Sequence, residues 1–158
     1  EYIFSPYILK EFRNRWFVFG TKITDLRIYN LALDRIISVE PCEAPYYENQ
    51  EFESEHFFDD VIGVSKKLHD IPRCVRFWAN AEQSKYIKTK PLHPSQKLEN
   101  ENQEDGSCIF QIEVCINFEM YSVFMSYGPG VKIIYPHFAV SYMKERLKEA
   151  AALYDTKE

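Results

Sequence analysis

The sequence contains few glycines, and none of them belongs to a recognisable nucleotide-binding or catalytic motif. Only five glycines occur among 158 residues. The cluster Gly128-Pro129-Gly130 lacks the Lys and Ser/Thr of a phosphate loop, and it reads as a helix stop followed by a turn. No GxSxG, HExxH or GxGxxG pattern is present. We therefore expect a protein that is not an enzyme and has no catalytic residues.

Cysteine and histidine are too dispersed to indicate a metal centre. None of Cys42, Cys74, Cys108 and Cys115 forms a CxxC pair, and the four histidines are scattered along the chain. Zinc sites need ligands clustered at short spacing. We expect no metal, no cofactor and four reduced thiols that are buried.

Long apolar segments are also missing. No run approaches the roughly 20 residues of a membrane span, and no signal peptide opens the chain. Hydrophobic residues nevertheless make up 46% and aromatic residues 16% of the chain, which is enough for a folded core. The composition predicts a soluble, cytoplasmic protein without membrane contact.

Charge is distributed unevenly. The formal net charge is −5, yet residues 1–36 carry a net charge of +2 and residues 37–158 a net charge of −7. The first segment can attract an anion, whereas the second would repel one.

The first forty residues have the composition of β-strands. Residues 16–19 are all bulky and apolar, which indicates a strand covered on both faces, as in a small barrel. Residues 26–39 predict one long strand, and residues 41–53 a linker. Ser54 is a candidate cap for a short helix that ends at Gly63, with one apolar face made by Phe57, Phe58, Val61 and Ile62.

From residue 73 onward the pattern predicts strand, helix, strand, strand, helix, strand and a final helix. Asn80 has the position of an N-cap, and alternation of apolar residues from Phe110 to Phe118 predicts a strand. This order is typical of a ferredoxin-like split βαβ sheet. The last helix, at about His137 to Tyr154, is predicted to bury Phe138, Tyr142, Met143, Leu147, Ala150 and Tyr154.

Arginines alternate with aromatic residues in the basic segment. Planar guanidinium groups suit phosphates, and aromatic rings offer faces for base stacking. The alternative is structural, with Trp16 in the core and Arg35 paired with Asp34 or Glu40. The candidate ligand-binding residues are Arg13, Arg15, Phe17, Arg27, Tyr29 and Arg35.

Several segments resemble a known family in the correct order. Residues 6–12, 15–18 and 33–36 (PYILKEF, RWFV and LDRI) resemble the WYL domain of bacterial transcription regulators. Residues 93–96, 105–106 and 126–131 (HPSQ, DG and SYGPGV) resemble the C-terminal extension that follows WYL. The resemblance covers nearly the whole chain.

The resemblance implies an α+β protein made of a partial Sm/SH3-like β-barrel followed by a ferredoxin-like βαββαβ extension and a C-terminal helix. We expect a WYL domain at residues 1–45, a linker and short helix at 46–72, and the extension at 73–158. Family members usually carry an N-terminal helix-turn-helix that binds duplex DNA, while the WYL part senses an effector. That motif and the opening barrel strand are missing from this sequence, so we expect a fragment cut just inside the WYL domain.

Two motifs depart from the family pattern. The middle Tyr of the motif is Phe17, and Tyr29 and Ala32 stand where the family often has arginine. Arg27 lies two residues from Tyr29 and is a candidate replacement.

Three hypotheses follow. The leading one is an effector-sensing module, a homodimer, that binds single-stranded nucleic acid or a small anionic ligand through the Arg/aromatic cluster. The second is a dimerisation or assembly module with no small ligand. The third is an enzyme in which His93 or His137 meets a carboxylate in a cleft.

Overall fold

Two antiparallel sheets and three α-helices make up residues 1–155, the part of the chain that this computed structural model describes. The chain divides into two units. The first comprises Glu1–Asp59 and Gly63–Asp70, and the second Asp60–Ile62 and the chain from Ile71 onward. The last three residues of the predicted 73–158 extension lie outside the described residues. None of the described helices is long and apolar enough to cross a membrane.

The first unit contains the strands β1 (Phe4–Phe12), β2 (Arg15–Lys22) and β3 (Ile28–Ala32), paired in that order. Arg13 and Asn14 form the tight β1–β2 turn with φ angles of 51° and 62°, and Glu11 accepts a hydrogen bond from the Asn14 amide at 2.7 Å. Over the described residues these strands form an open sheet and not a closed barrel.

The predicted strand at residues 26–39 is too long. β3 ends at Ala32, and a 3₁₀ turn follows at Leu33–Arg35. Ile37 is 101% exposed and Val39 81% exposed, so no apolar surface packs against these side chains. A β-branched composition is not sufficient to extend a strand without such packing.

The predicted short helix at residues 54–62 is wrong, because residues 54–60 form turns. Its four apolar side chains are buried, but they do not share one core. Phe57 and Phe58 pack with Phe19 of the first unit, whereas Ile62 belongs to the core of the second. The apolar side chains of this segment are divided between the cores of the two units and do not form a single helical face.

The second unit has the predicted order of elements. These are β4 (Arg73–Ala79), α1 (Ala81–Thr89), β5 (Lys97–Glu101), β6 (Cys108–Val114), α2 (Phe118–Ser126), β7 (Val131–Tyr135) and α3 (His137–Asp155). The strands lie in the order β5-β6-β4-β7, all antiparallel to their neighbours.

Alternate residues of the two central strands form the core of this unit. Phe77 of β4 lies opposite Phe110 of β6, with ring centroids 5.4 Å apart, and Phe124 of α2 meets Phe77 edge-on at 5.1 Å. All three are at most 1% exposed. The α2 helix thus covers the sheet face on which these rings lie.

Asparagine caps fix the starts of α1 and α2. Asn80 accepts a hydrogen bond from the Gln83 amide at 2.9 Å, which confirms the predicted N-cap. Asn117 does the same for the Met120 amide at 2.7 Å. The alternating pattern therefore does not continue to Phe118, because β6 ends at Val114 and Phe118 opens a helix with its ring 66% exposed.

The final helix is longer than the surface that covers it. Ala139 and Met143 are buried in the core. The prediction that the same helix buries four further large side chains is wrong: Phe138 is 53%, Tyr142 39%, Leu147 46% and Tyr154 91% exposed.

Strand β5 forms one edge of this sheet, and all five of its side chains are exposed. Glu99 pairs with Arg76 and Glu101 with Lys88, each at 2.7 Å. The Lys88 pKa is raised, chiefly by its hydrogen bond to Glu101.

Candidate ligand-binding surface

Strand register assigns the side chains of the first unit to two faces of its sheet. Residues directly opposite one another on paired strands point to the same face. One face carries Phe19, which is 1% exposed and packs against Phe57 and Phe58 with ring centroids 6.2 and 4.8 Å away. Lys10 lies 5.1 Å from the Phe58 ring, so the segment that contains these rings covers this face.

The opposite face is open and rich in apolar and aromatic side chains. Val18 lies opposite Leu9 on β1 and Leu31 on β3. Leu9 is 56% and Trp16 51% exposed. The prediction that Trp16 belongs to the core is therefore wrong. We define the open face as the side chains of Phe4, Leu9, Trp16, Val18, Lys22, Tyr29 and Leu31; Leu9 and Trp16 are exposed, Val18 is buried and the other four are half-buried.

A lysine lies between two aromatic rings at one end of the open face. The Lys22 ammonium is 4.2 Å from the Tyr2 ring centroid and 4.0 Å from that of Tyr29. Phenol and ammonium thus form a combined aromatic and cationic surface.

The Tyr29 hydroxyl donates a hydrogen bond to Asp25. This bond raises the pKa of the Tyr29 phenol and lowers the pKa of the Asp25 carboxyl. Both groups are solvent-facing, so the bond orients the ring and does not signal a buried charge.

The six predicted ligand-binding residues do not form one cluster. Arg27 and Tyr29 lie where β3 begins, beside the end of β2, because Tyr29 pairs with Gly20. Arg13 and Arg15 lie about 20 Å away along the strands, at roughly 3.3 Å per residue from the start of β2. Arg35 belongs to the 3₁₀ turn beyond the end of β3.

Phe17 is separated from Tyr29 by the sheet itself. It pairs with Ala32 and shares the parity of Phe19, so it points to the covered face. Arg15 has the same parity and its guanidinium contacts Asp34 at 3.1 Å. The expected pairing of Arg35 with Asp34 or Glu40 is not found in the described residues; Asp34 pairs with Arg15 instead.

Sequence reasoning overlooked Tyr2, Leu9 and Lys22, and it misplaced Trp16. The signal was weak, because four consecutive bulky residues in β2 give no indication of which face stays open. Only the pairing of Val18 with both neighbouring strands shows that Trp16 and Lys22 share a face with Tyr29.

His93, one of the two histidines of the enzyme alternative, helps to hold a loop in place. His93 is buried and its Nδ1 lies 2.7 Å from Ser95 Oγ. That hydroxyl also accepts from the Glu113 amide at 2.8 Å and donates to its carbonyl at 3.2 Å, which fastens the loop to β6. Within residues 1–155, no three His, Cys, Asp or Glu side chains lie close enough together to hold a metal ion.

The thiols are only partly buried. Cys108 and Cys115 are buried as predicted and Cys74 is half-buried, whereas Cys42 is exposed. Burial raises the pKa of Cys74, with help from Glu113.

A shallow open groove of about 390 Å³ lies in the second unit at the start of α1, lined by Trp78, Asn80, Ala81, Glu82, Asp105 and Ser107. A hydrogen bond from Ser107 lowers the pKa of Asp105. Two carboxylates in its wall make this groove unsuited to an anion.

A family comparison decides the nature of the second unit. Residues 72–151 match the family model of the WCX domain. The chain belongs to the WCX domain family. WCX domains occur in WYL-type regulators such as PafBC, so the resemblance of the second half of the chain to the C-terminal extension of such regulators is confirmed. The predicted domain bounds, including a WYL domain at residues 1–45, stay predictions.

Structural comparison adds a distant similarity. The chain is similar to proteasome accessory factor B/C (PafBC) of Arthrobacter aurescens, with 16% sequence identity and a TM-score of 0.47. The alignment covers 97% of this chain and 23% of the PafBC chain, so this WCX-containing chain spans about a quarter of that protein. Comparison with curated proteins finds no match.

Proposed function

We propose that this chain is the effector-sensing, regulatory part of a cytoplasmic, DNA-binding transcription regulator, and that it acts by binding and not by catalysis. The WCX match to residues 72–151 supports a regulatory C-terminal domain. Contact with duplex DNA is assigned to a separate helix-turn-helix of the regulator.

The finer fold assignments belong to this proposal. The strand order β5-β6-β4-β7, with two helices inserted as βαββαβ, supports a ferredoxin-like second unit. The antiparallel β1-β2-β3 sheet supports part of an Sm/SH3-like barrel, as the WYL domain requires.

The ligand surface that we propose is the open face of the first unit, and its half-exposed Trp16 is the observation that carries the proposal. An indole left in water on a sheet face is a stacking platform for a nucleobase. Lys22, held between two rings, supplies positive charge on the same face. The ligand class is a single-stranded nucleic acid or a small anion with an aromatic ring.

Cations at both ends of the sheet complete the surface. Arg13, Arg27 and Arg35 are exposed and form no ion pair within residues 1–155. Because arginine binds phosphate through a planar fork, a strand of nucleotides lying along β2 could meet phosphate-binding groups at either end. A mononucleotide would reach only one end.

Tryptophan fluorescence tests the proposal. The chain has two tryptophans, so Trp78→Phe leaves Trp16 as the reporter. We expect oligothymidylate to quench it, with log Kd rising with log salt by roughly 0.7 per phosphate contacted. Thymidine monophosphate in parallel distinguishes a small anion from a strand.

Variants locate the site. Trp16→Ala, followed by anisotropy of a labelled oligonucleotide, should weaken binding by roughly 5- to 150-fold, the range for loss of one stacked base. Arg27→Ala and Arg35→Ala should each reduce the salt slope by about 0.7, whereas Lys85→Ala, an exposed lysine on α1, serves as the control. Binding that is independent of salt, or equal in Trp16→Ala, would overturn the nucleic-acid assignment.

A further inference from the structure

The turn between β2 and β3 holds a carboxylate at one end of the open face. Oδ1 of Asp25 accepts a hydrogen bond from the Arg27 amide at 3.2 Å, and Oδ2 accepts one from the Tyr29 hydroxyl. Both oxygens are therefore oriented by neighbouring groups, although the residue is exposed. A carboxylate has about four acceptor positions, two on each oxygen, so each oxygen of Asp25 can accept one further hydrogen bond.

Backbone contacts fix the position of this carboxylate. Leu26, the next residue, has a φ of 55°, in the left-handed region that residues other than glycine rarely occupy. Its amide donates to the Lys22 carbonyl at 3.0 Å, and the Thr21 hydroxyl donates to the Arg27 carbonyl at 2.9 Å. These two bonds close the turn, so Asp25 is held on a defined backbone next to the sheet.

Aromatic rings and a cation lie beside the carboxylate. Phe4 pairs with Lys22 across β1 and β2, and the Phe4 ring lies over Gly20, 2.7 Å from the position of an added Cβ. The Tyr2 ring meets Phe4 edge-on with centroids 6.4 Å apart. The Lys22 ammonium lies between the rings of Tyr2 and Tyr29. Three rings, one ammonium and one carboxylate thus share this end of the sheet.

Asp25 and Lys22 are close but not paired. No ion pair joins them within residues 1–155. The hydrogen bond from Tyr29 is the main cause that lowers the pKa of Asp25, and the charge of Lys22 lowers it further. Asp25 is therefore ionised at neutral pH and offers only acceptors, whereas Lys22 offers only donors.

From this arrangement we infer that this end of the open face selects a guanine base, with Asp25 accepting from its N1–H and N2–H groups and Lys22 donating to its O6. The inference rests on the proposed function, because it names the base that a bound strand or nucleotide places here. The rings of Tyr2 and Phe4 supply apolar faces beside that base.

The pattern of donors on the base edges carries this choice. Guanine presents two adjacent N–H donors beside a carbonyl acceptor, which matches two carboxylate oxygens beside an ammonium. Adenine and cytosine each present an amino group next to a ring nitrogen that is an acceptor, so they satisfy only one oxygen of the carboxylate. Thymine has its single N–H between two carbonyl groups, which the carboxylate repels.

Anisotropy of labelled oligonucleotides tests the inference on the full chain. One strand is oligothymidylate, and the second is the same strand with one central guanine. We expect the guanine strand to bind at least about fivefold more tightly, the lower end of the range for a bidentate base contact. A third strand has hypoxanthine in place of guanine. Because hypoxanthine lacks the N2 amino group, this strand should bind with an affinity between the other two.

Two variants with the same change of charge locate the contact. Asp25→Asn replaces one acceptor by a donor that faces an N–H group, so the guanine strand should bind no better than oligothymidylate. Glu43→Gln, at an exposed position of the first unit, should retain the preference. The ratio of the two affinities is the readout, since loss of a negative charge strengthens binding of both strands alike. Urea unfolding of each variant confirms that it is folded.

The outcomes separate this inference from the proposed function. A chain that binds oligothymidylate without a preference for guanine overturns the inference alone, and a preference that persists in Asp25→Asn does the same. A chain that binds no strand and no monophosphate overturns both. Deoxyguanosine and thymidine monophosphates identify the source of the base. A guanine preference between these monophosphates supports recognition of a free nucleotide, and a preference confined to the strands supports recognition within a strand.

Discussion

Replacing Gly20 with alanine should destabilise the first unit strongly, for a reason that is visible only in the paired strands. A Cβ atom at Gly20 would lie 2.1 Å from the Ser5 carbonyl oxygen and 2.7 Å from the Phe4 ring. The closer obstacle is backbone and cannot rotate away. β1 would have to move outward by about 1 Å to restore ordinary van der Waals distance.

The loss in the free energy of unfolding caused by Gly20→Ala is the sum of two contributions. Overpacking of a fitted site costs about 1–3 kcal/mol, and displacement of β1 weakens one or two backbone hydrogen bonds at about 0.5–1.5 kcal/mol each. We expect a loss of about 2–4 kcal/mol in the free energy of unfolding. Because Phe4 belongs to the open face, ligand binding should weaken as well.

Urea unfolding of the Trp78→Phe chain measures this loss, since Trp16 then reports the first unit alone. The midpoint should fall while the slope with urea stays unchanged. Gly128→Ala is the contrasting control, and because Gly128 belongs to the second unit it is measured in a Trp16→Phe chain, where Trp78 is the reporter. No atom lies within 4 Å of its added Cβ, but its φ of 53° is left-handed, so it should cost only about 1 kcal/mol. A loss below about 0.5 kcal/mol for Gly20→Ala would refute the steric argument, given the usual scatter of surface substitutions.

Three further predictions concern single hydrogen bonds. Asn80→Ala should lower the free energy of unfolding by about 1 kcal/mol in thermal or urea unfolding, whereas Asn80→Asp should retain most of the stability of the cap; an equal loss in both variants would contradict the cap. Asp25→Ala should bring the raised pKa of Tyr29 down toward 10.0 in an NMR titration, and an unchanged pKa would exclude their hydrogen bond as its cause. The pKa of His56 is raised, chiefly by its hydrogen bond to Asp59. The stability that this bond adds is complete below pH 6.5 and disappears as pH rises through the raised pKa of His56 in the folded protein. Asp59→Asn should therefore lower the urea midpoint at about pH 5.5 and leave it nearly unchanged at about pH 8.5, whereas the reverse pattern would refute this assignment.

Local signals predicted the second unit well. The N-cap at Asn80 and the alternation of Phe110, Ile112 and Val114 depend on neighbours close in sequence, and both are found in the structure. The order of strands and helices follows largely from such local patterns, because most elements there, though not the fully exposed β5, have a strong period or a clear cap.

Long-range contacts decided the features that the sequence could not predict. Tryptophan is a residue type that commonly lies in a core, yet it is the other face of β2 that packs against Phe57 and Phe58, about 40 residues away in the sequence. The apolar period of α3 was visible, but periodicity cannot show that the sheet ends near Met143 and leaves Tyr154 exposed. The candidate surface depends on pairing with both neighbouring strands, and a one-residue change in register would move Trp16 to the opposite face.

The charged β5 strand has a consequence for how copies of this chain can accumulate. Exposed edge strands commonly act as templates for further strands and seed fibrous aggregates. The alternating carboxylates of β5, held by Arg76 and Lys88, would lie against the same carboxylates of an incoming identical strand. A concentrated solution of this protein should therefore resist sheet-like fibril growth at this edge, and Glu99→Val should be sufficient to make it susceptible.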